Sequence, residues 1–259
     1  MKTKSLGFIG GGRITKIILT AFGKSGTKFD TIVVSEVSIE VQAALKAKFP
    51  EVIVGADNLK EVVACDVLIV ALHPPMIMET LSKIKGFLSE KTVLISLAPK
   101  LTIEKISSAL GGFANIARMN PSASTIVNKG VNPVTFSPKM EGKTKETILN
   151  LLKPLGTSPV VVEPKIEAYA MIAAMGHTYY FFQLQKLKEL AVSYGMDEDE
   201  ARNAITEMLW GTTDTLFKSG LSYPEVIDLV PLKPLADVEE TINGYYDQYL
   251  NGLYNKIKP

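Results

Sequence analysis

The first two-thirds of the chain alternates short apolar runs with segments of helical period. Residues 6–9, 31–35, 52–54, 67–72 and 92–97 are rich in Val, Ile and Leu at successive positions, not only at alternate ones. A strand with one wet face alternates; a strand covered on both faces does not need to. Between these runs, residues 13–23, 38–49, 59–64, 76–87 and 102–110 bring apolar residues to one side of an amphipathic helix. Strand and helix in alternation predict a parallel sheet with helices on its faces. Two further apolar runs, 133–136 and 158–163, flank a helix over 143–152 and are expected to extend the same sheet.

Near residue 163 the pattern changes and strand signals fade. One long helix is expected over 166–194, a second over 198–218 and a third over 235–256. The second opens on Asp197-Glu198-Asp199-Glu200, acids that complement a helix N-terminus. The expected organisation is an α/β domain over 1–163, doubly wound and mostly parallel, followed by an all-helical domain over 164–259. A helical tail of roughly 95 residues with one nearly all-apolar helix has little surface of its own to cover it. A homodimer through the C-terminal helices would supply that cover; packing against the chain's own α/β domain is the alternative.

Composition adds mostly exclusions. Hydrophobic residues make up 46% and charged residues 21%, which suits a globular core. A net charge of +1 gives no reason to expect nucleic acid or an anionic membrane as partner. The single cysteine, Cys65, rules out an intramolecular disulfide or a CxxC site and fits a reducing cytoplasm. The N-terminus passes quickly into the first strand, so no signal peptide is expected. No apolar stretch approaches the ~20 residues of a membrane span. Two histidines and scattered acids lack metal-ligand spacing.

The first strand runs into Gly10-Gly11-Gly12-Arg13-Ile14-Thr15, which also opens the first helix. Gly10 permits a tight turn, Gly12 permits close approach of a pyrophosphate, and the amides of the helix start, from Arg13 and Ile14 onward, face the phosphates. Strand, glycine turn and helix in this order predict a Rossmann domain binding NADP or NAD. Thr15 stands where the pattern has its third small residue, and its bulk is expected to hold helix and strand slightly apart. The second strand ends at Ser35-Glu36. Glu36 lies about where an acid binds a ribose diol, roughly 20 residues beyond the turn. It could also sit past that point in solvent, leaving Ser35 to bond a phosphate, so both cofactors stay open.

These residues, with others further on, resemble the pyrroline-5-carboxylate reductase family. Gly7-Phe8-Ile9-Gly10-Gly11-Gly12 resembles its opening motif, and Val70-Ala71-Leu72-His73-Pro74 its Val-Lys-Pro turn. Ser96-Leu97-Ala98-Pro99-Lys100-Leu101-Thr102 resembles its Ser-Ile-Ala-Ala-Gly-Val-Thr segment. Arg118-Met119-Asn120-Pro121-Ser122 resembles its Arg-x-Met-Pro-Asn-Thr-Pro stretch. The resemblance implies an NADPH-preferring reductase of a small cyclic imine, of the proline-biosynthesis type. It also implies a helical dimerisation domain, and cofactor contacts from Ala71, Leu72, His73, Pro74 and Ala98. Departures fall in the second half. Leu232-Lys233-Pro234-Leu235-Ala236-Asp237 replaces the family's Ser-Pro-Gly-Gly-Thr-Thr, which holds the substrate carboxylate. Ala173-Ala174-Met175-Gly176-His177-Thr178-Tyr179 replaces Ser-Gly-Ser-Gly-Pro-Ala-Tyr.

Three residues are candidates for chemistry on the substrate. His177 lies where the resemblance places the substrate site, and an imidazole can give a proton near neutral pH. Asn120 and Ser122 flank Pro121 in a loop able to bond substrate or the nicotinamide amide; ordinary loop capping is the alternative. Lys100 could hold a carboxylate or simply be solvated. Two other functions fit in part. A 3-hydroxyacid dehydrogenase-like enzyme also joins a Rossmann domain to long helices but uses a lysine on the long helix, where the first one here is Lys186. A non-catalytic dinucleotide-binding redox sensor needs no substrate motif.

Overall fold

The computed structural model describes residues 3–258. Strands and helices alternate as the pattern predicts: β1 (Ser5–Ile9), α1 (Arg13–Lys24), β2 (Thr31–Ser35), α2 (Ile39–Lys48), β3 (Ile53–Gly55), α3 (Leu59–Val63), β4 (Val67–Val70), α4 (Pro74–Ile84), β5 (Val93–Ser96) and α5 (Ile103–Ala109). There follow β6 (Ile116–Met119), β7 (Gly130–Val131), β8 (Val134–Phe136), α6 (Gly142–Leu152), β9 (Gly156–Thr157) and α7 (Ile166–Tyr169).

Seven strands form one sheet in the order β3-β2-β1-β4-β5-β6-β8, parallel except for the β6–β8 pair. Successive side chains point to opposite faces, so each strand feeds two cores. Phe8, Val34, Ile69 and Ile95 pack on one side with Ile18, Phe22 and Leu45 of the helices. Ile9, Val33, Leu68 and Leu94 pack on the other with Ile77, Leu81 and Ile106. Both faces are covered, which is why these strands read as unbroken apolar runs.

Three expectations are corrected. The run 158–163 does not join the sheet as a strand. Instead β9 pairs with β7 in a separate two-stranded ribbon, and Val160 makes only an isolated bridge to Val134. The sixth strand, β6, is absent from the pattern reading because Arg118 interrupts a short apolar run, yet all four of its residues are buried. The helix expected over 166–194 is broken. After α7 the backbone passes through a π turn over Ala170–Ala174 and a bend at Met175 and Gly176 before α8 (His177–Ser193) begins. A π turn inserts a residue into the helical ladder and shifts the face that follows.

The chain divides into two compact units, one reaching to Met175 and resuming at Tyr254, the other Gly176–Leu253. The division falls later than residue 163 because Ile166, Glu167 and Met171 are buried within the first unit. The second unit contains α8, α9 (Glu198–Lys218), α10 (Tyr223–Asp228) and most of α11 (Glu239–Ile257). Asp197 caps α9, accepting from the amides of Asp199 and Glu200, while the Glu200 side chain accepts from Asp197 N. Ala201 is the one buried residue in these four helices, among those described.

Candidate functional site: the glycine turn and its groove

The strand order reverses direction between β1 and β4, so the loops after these strands diverge and leave a crevice at their carboxyl ends. The glycine turn fills one side. Gly10 has φ +98°, and a Cβ there would lie 2.5 Å from Ala71 O, so only glycine permits this turn against β4. A Cβ on Gly11 would meet Leu45 of α2 at 2.5 Å. Gly12 differs: a Cβ there meets nothing within 4 Å. It is the N-cap of α1, no side chain caps that helix, and its first turn holds no acid. The first amides of α1 therefore face open space with the positive end of the helix behind them.

Thr15 is fully buried and donates its hydroxyl to Gly10 O at 2.6 Å. The departure from a small residue thus ties the turn shut. Arg13 is exposed at the first helical position, and Ile14 packs against the core beneath the sheet.

The other walls come from β2 and β4. Glu36 directs its Oε2 to Gly11 N at 2.7 Å and its Oε1 to Ser38 N at 2.8 Å. It therefore faces the glycine turn and does not extend into bulk solvent. Ser35 is buried and donates to Ala56 O at 3.4 Å. His73 is exposed and forms the N-cap of α4; Pro74, the first residue of that helix, is described by its backbone alone. Gly10, Gly12, Ser35, Glu36, Ala71, Leu72 and His73 line one groove of about 380 Å³, continued by Ala56, Leu59, Met76 and Lys83. Open space over Gly12, uncapped helix amides and a groove lined from both β2 and β4 fit a dinucleotide pyrophosphate with its adenosine along β2.

A second set of polar groups lies at the ends of β5 and β6. Arg118 is buried at 1% exposure and pairs with Glu163 Oε1 at 3.0 Å and Glu167 Oε1 at 2.6 Å. The same carboxylate oxygens accept from Ile103 N at 2.7 Å and Lys100 N at 3.3 Å, and Arg118 also donates to Ala98 O. This network holds the loop between β5 and α5. The sequence pattern assigned its three charged residues no role of their own. The available signal was a charge inside an apolar run, followed by two acids four residues apart.

The remaining candidates separate. Ala98 is buried in that loop and does not line the groove. Lys100 is exposed with φ +63°. Asn120 follows β6 directly, half-buried, with its amide donating to Pro133 O. Ser122 is fully buried; its hydroxyl accepts from Val131 N at 3.0 Å and meets Ser124 Oγ, while its amide donates to Asn132 Oδ1. These bonds make Ser122 a brace of its loop. His177, in the second unit, opens α8 and stacks on Phe181 with ring centroids 5.9 Å apart. Its Nε2 is buried without a hydrogen-bond partner among the described residues. Among those residues no helix is long and apolar enough to cross a membrane, and no three ligating side chains cluster as a metal site.

Sheet order, glycine turn and groove define the class: a Rossmann-type dinucleotide-binding protein. Residues 5–100, from β1 to the loop after β5, match the family model described as NADP oxidoreductase coenzyme F420-dependent. The resemblance in the motifs extends over most of the chain. It is 27% identical over 219 residues to the pyrroline-5-carboxylate reductase of Escherichia coli K12, covering 84% of this chain and 81% of that protein. Pyrroline-5-carboxylate reductase 2 of Bacillus subtilis is 25% identical over 245 residues, 94% of this chain and 87% of the relative. The chain is thus similar over most of its length to pyrroline-5-carboxylate reductases. Its fold matches the Plasmodium falciparum pyrroline carboxylate reductase, determined with NADP bound, with a TM-score of 0.82 at 18% identity over 99% of this chain and 97% of that one.

Proposed function

We propose that this chain is an oxidoreductase that reduces the C=N bond of a small cyclic imine, in the manner of the pyrroline-5-carboxylate reductases. The observation that carries the reading is the glycine turn at the sheet's switch point, closed against β4 at Gly10 and open above Gly12. With a reduced nicotinamide dinucleotide held there, a hydride would be available to the imine carbon, and the imine nitrogen would retain or gain a proton. The protein's share is to hold the phosphates on the amides of α1, to fix the loops after β4 and β5, and to orient the substrate. Asn120, which follows β6, is proposed as an orienting group. His177 is proposed as a proton donor, since its Nε2 has no hydrogen-bond partner among the described residues. Ser122 contributes by bracing the loop that carries Asn120.

We also propose that the enzyme is a homodimer. The helices of the second unit bury little of their own apolar surface. Phe181 is 58% exposed, Phe182 68% and Tyr249 64%. Apolar faces of this extent mark a contact surface, and a second copy of the same helices has matching chemistry.

The test is oxidation of NADH and NADPH with cyclic imines that carry a ring carboxylate and with ones that lack it. Turnover with either imine class supports the reading. Tight dinucleotide binding with no turnover on any imine would refute the reductase assignment and leave a binding protein.

A further inference from the structure

We propose that this groove is built for NADH and discriminates against NADPH, with Glu36 as the discriminating residue. The inference rests on the groove being the dinucleotide site. A dinucleotide with its pyrophosphate over Gly12 places its adenosine ribose at the carboxyl end of β2, on the side of β1 away from β4. What stands there is a carboxylate held by hydrogen bonds at both oxygens, from Gly11 N and Ser38 N. Its backbone is held as well, with Glu36 N donating to Gly55 O and Gln42 Nε2 donating to Glu36 O. A carboxylate oxygen that accepts one hydrogen bond still has a lone pair for another. Glu36 can therefore accept from the ribose diol without giving up the turn.

NADPH carries a phosphate on the 2′ oxygen of that ribose, with a charge of about −2 at neutral pH. It would bring this charge against the Glu36 carboxylate, and no described residue of β2 or of the turn after it carries a positive charge; the exposed cation of the glycine turn, Arg13, belongs to the first turn of α1, next to Gly12. Val37, the next residue, is aliphatic and 70% exposed. The Ser35 hydroxyl is turned inward to Ala56 O. The lysine that lines the groove, Lys83, belongs to α4 on the far side of β1, and its Nζ is 2.7 Å from Glu79 Oε1. His73 stands on that side too, at the end of β4.

Because one carboxylate both reads the ribose and holds Gly11, removing it acts twice. Glu36→Gln keeps the shape, but its amide group can accept from only one of the two backbone donors. Affinity for both dinucleotides falls, and the preference narrows.

The experiment measures the dissociation constants of NADH and NADPH by calorimetry on the full chain, for the native protein, Glu36→Gln and Glu36→Ser with Val37→Arg. Thermal denaturation checks that each variant is folded. The native protein is expected to prefer NADH by at least ~30-fold, from like-charge repulsion at close range. Glu36→Gln should bring the two within a few-fold, and the double variant should favour NADPH. Equal or tighter binding of NADPH by the native protein overturns the proposal and leaves the groove assignment standing. An unchanged ratio in a folded Glu36→Gln also overturns it. Binding of neither dinucleotide by the native protein removes the groove assignment and the proposal together.

Discussion

Substituting Gly12 by valine separates cofactor binding from folding, because two glycines in one turn stand in opposite surroundings. At Gly12 φ is −67° and ψ −159°, extended backbone open to any residue, and a Cβ meets nothing within 4 Å. The folded chain therefore has room for a Cβ with open space around it, and stability should fall by less than ~1 kcal/mol, the scale of an altered N-cap. The added methyl groups would occupy the space above the α1 amides where a phosphate is bound. Each hydrogen bond to a charged group contributes about 1.5–3 kcal/mol. Losing two weakens dinucleotide affinity by roughly 100- to 10,000-fold. Gly10→Ala is the control with the opposite outcome. Its φ of +98° and the 2.5 Å approach to Ala71 O strain any Cβ, at a cost of at least ~2 kcal/mol in folding. Urea denaturation measures stability and calorimetry measures affinity for NADH. A Gly12→Val protein that binds the dinucleotide with native affinity would refute the placement of the phosphates.

Arg118→Met leaves Glu163 and Glu167 without their cation in a buried place, and should cost about 3–5 kcal/mol in urea denaturation; a loss under ~1 kcal/mol would show that water reaches the cluster. Burial pushes the Cys65 thiol up to about 11, so at pH 8 the folded protein should react with a disulfide reagent only as fast as it unfolds, and prompt labelling would contradict this. The Asp66 carboxyl is raised by burial, but the amides of Lys4 and Ser5 at 2.8 and 3.0 Å outweigh that and hold it below its ordinary value. Its contribution is therefore present above the unfolded value of about 3.9 and is lost as pH falls through the folded one. Asp66→Asn should flatten the acid limb of the stability–pH curve, and an unaltered limb would count against the assignment. Light scattering should report a dimer, and Phe181→Ser with Phe182→Ser should shift it to monomer; a native monomer at micromolar concentration would remove the dimer proposal.

The α/β half was legible in the sequence because its information is local. Both faces of each central strand are covered, so most positions are apolar, and the run declares itself without knowledge of its partners. The same holds for the turn at Gly10, where φ, sheet approach and helix start fall within six residues. Arg118 shows where local reading stops. It lies inside a four-residue strand and looks like a break in the apolar pattern, because the carboxylates that make its burial tolerable are 45 and 49 residues away in sequence. The break in the expected long helix is similar: no proline falls between Ile166 and Ser193, and the π turn appears only when the backbone is traced.

The site divides along the same line. A parallel sheet, a glycine turn at the head of the first helix and an acid near the end of the second strand can all be read from residue order. The assembled fold alone settled that Gly10 is closed while Gly12 is open, and that Glu36 turns inward to Gly11. It also decided that Ser122 braces a loop. Which atoms face each other across a groove depends on how separate strands are brought into register, and residue order does not carry that. Periodicity encodes which faces must leave water; pairing a buried charge, or aiming a carboxylate, requires distant segments to meet.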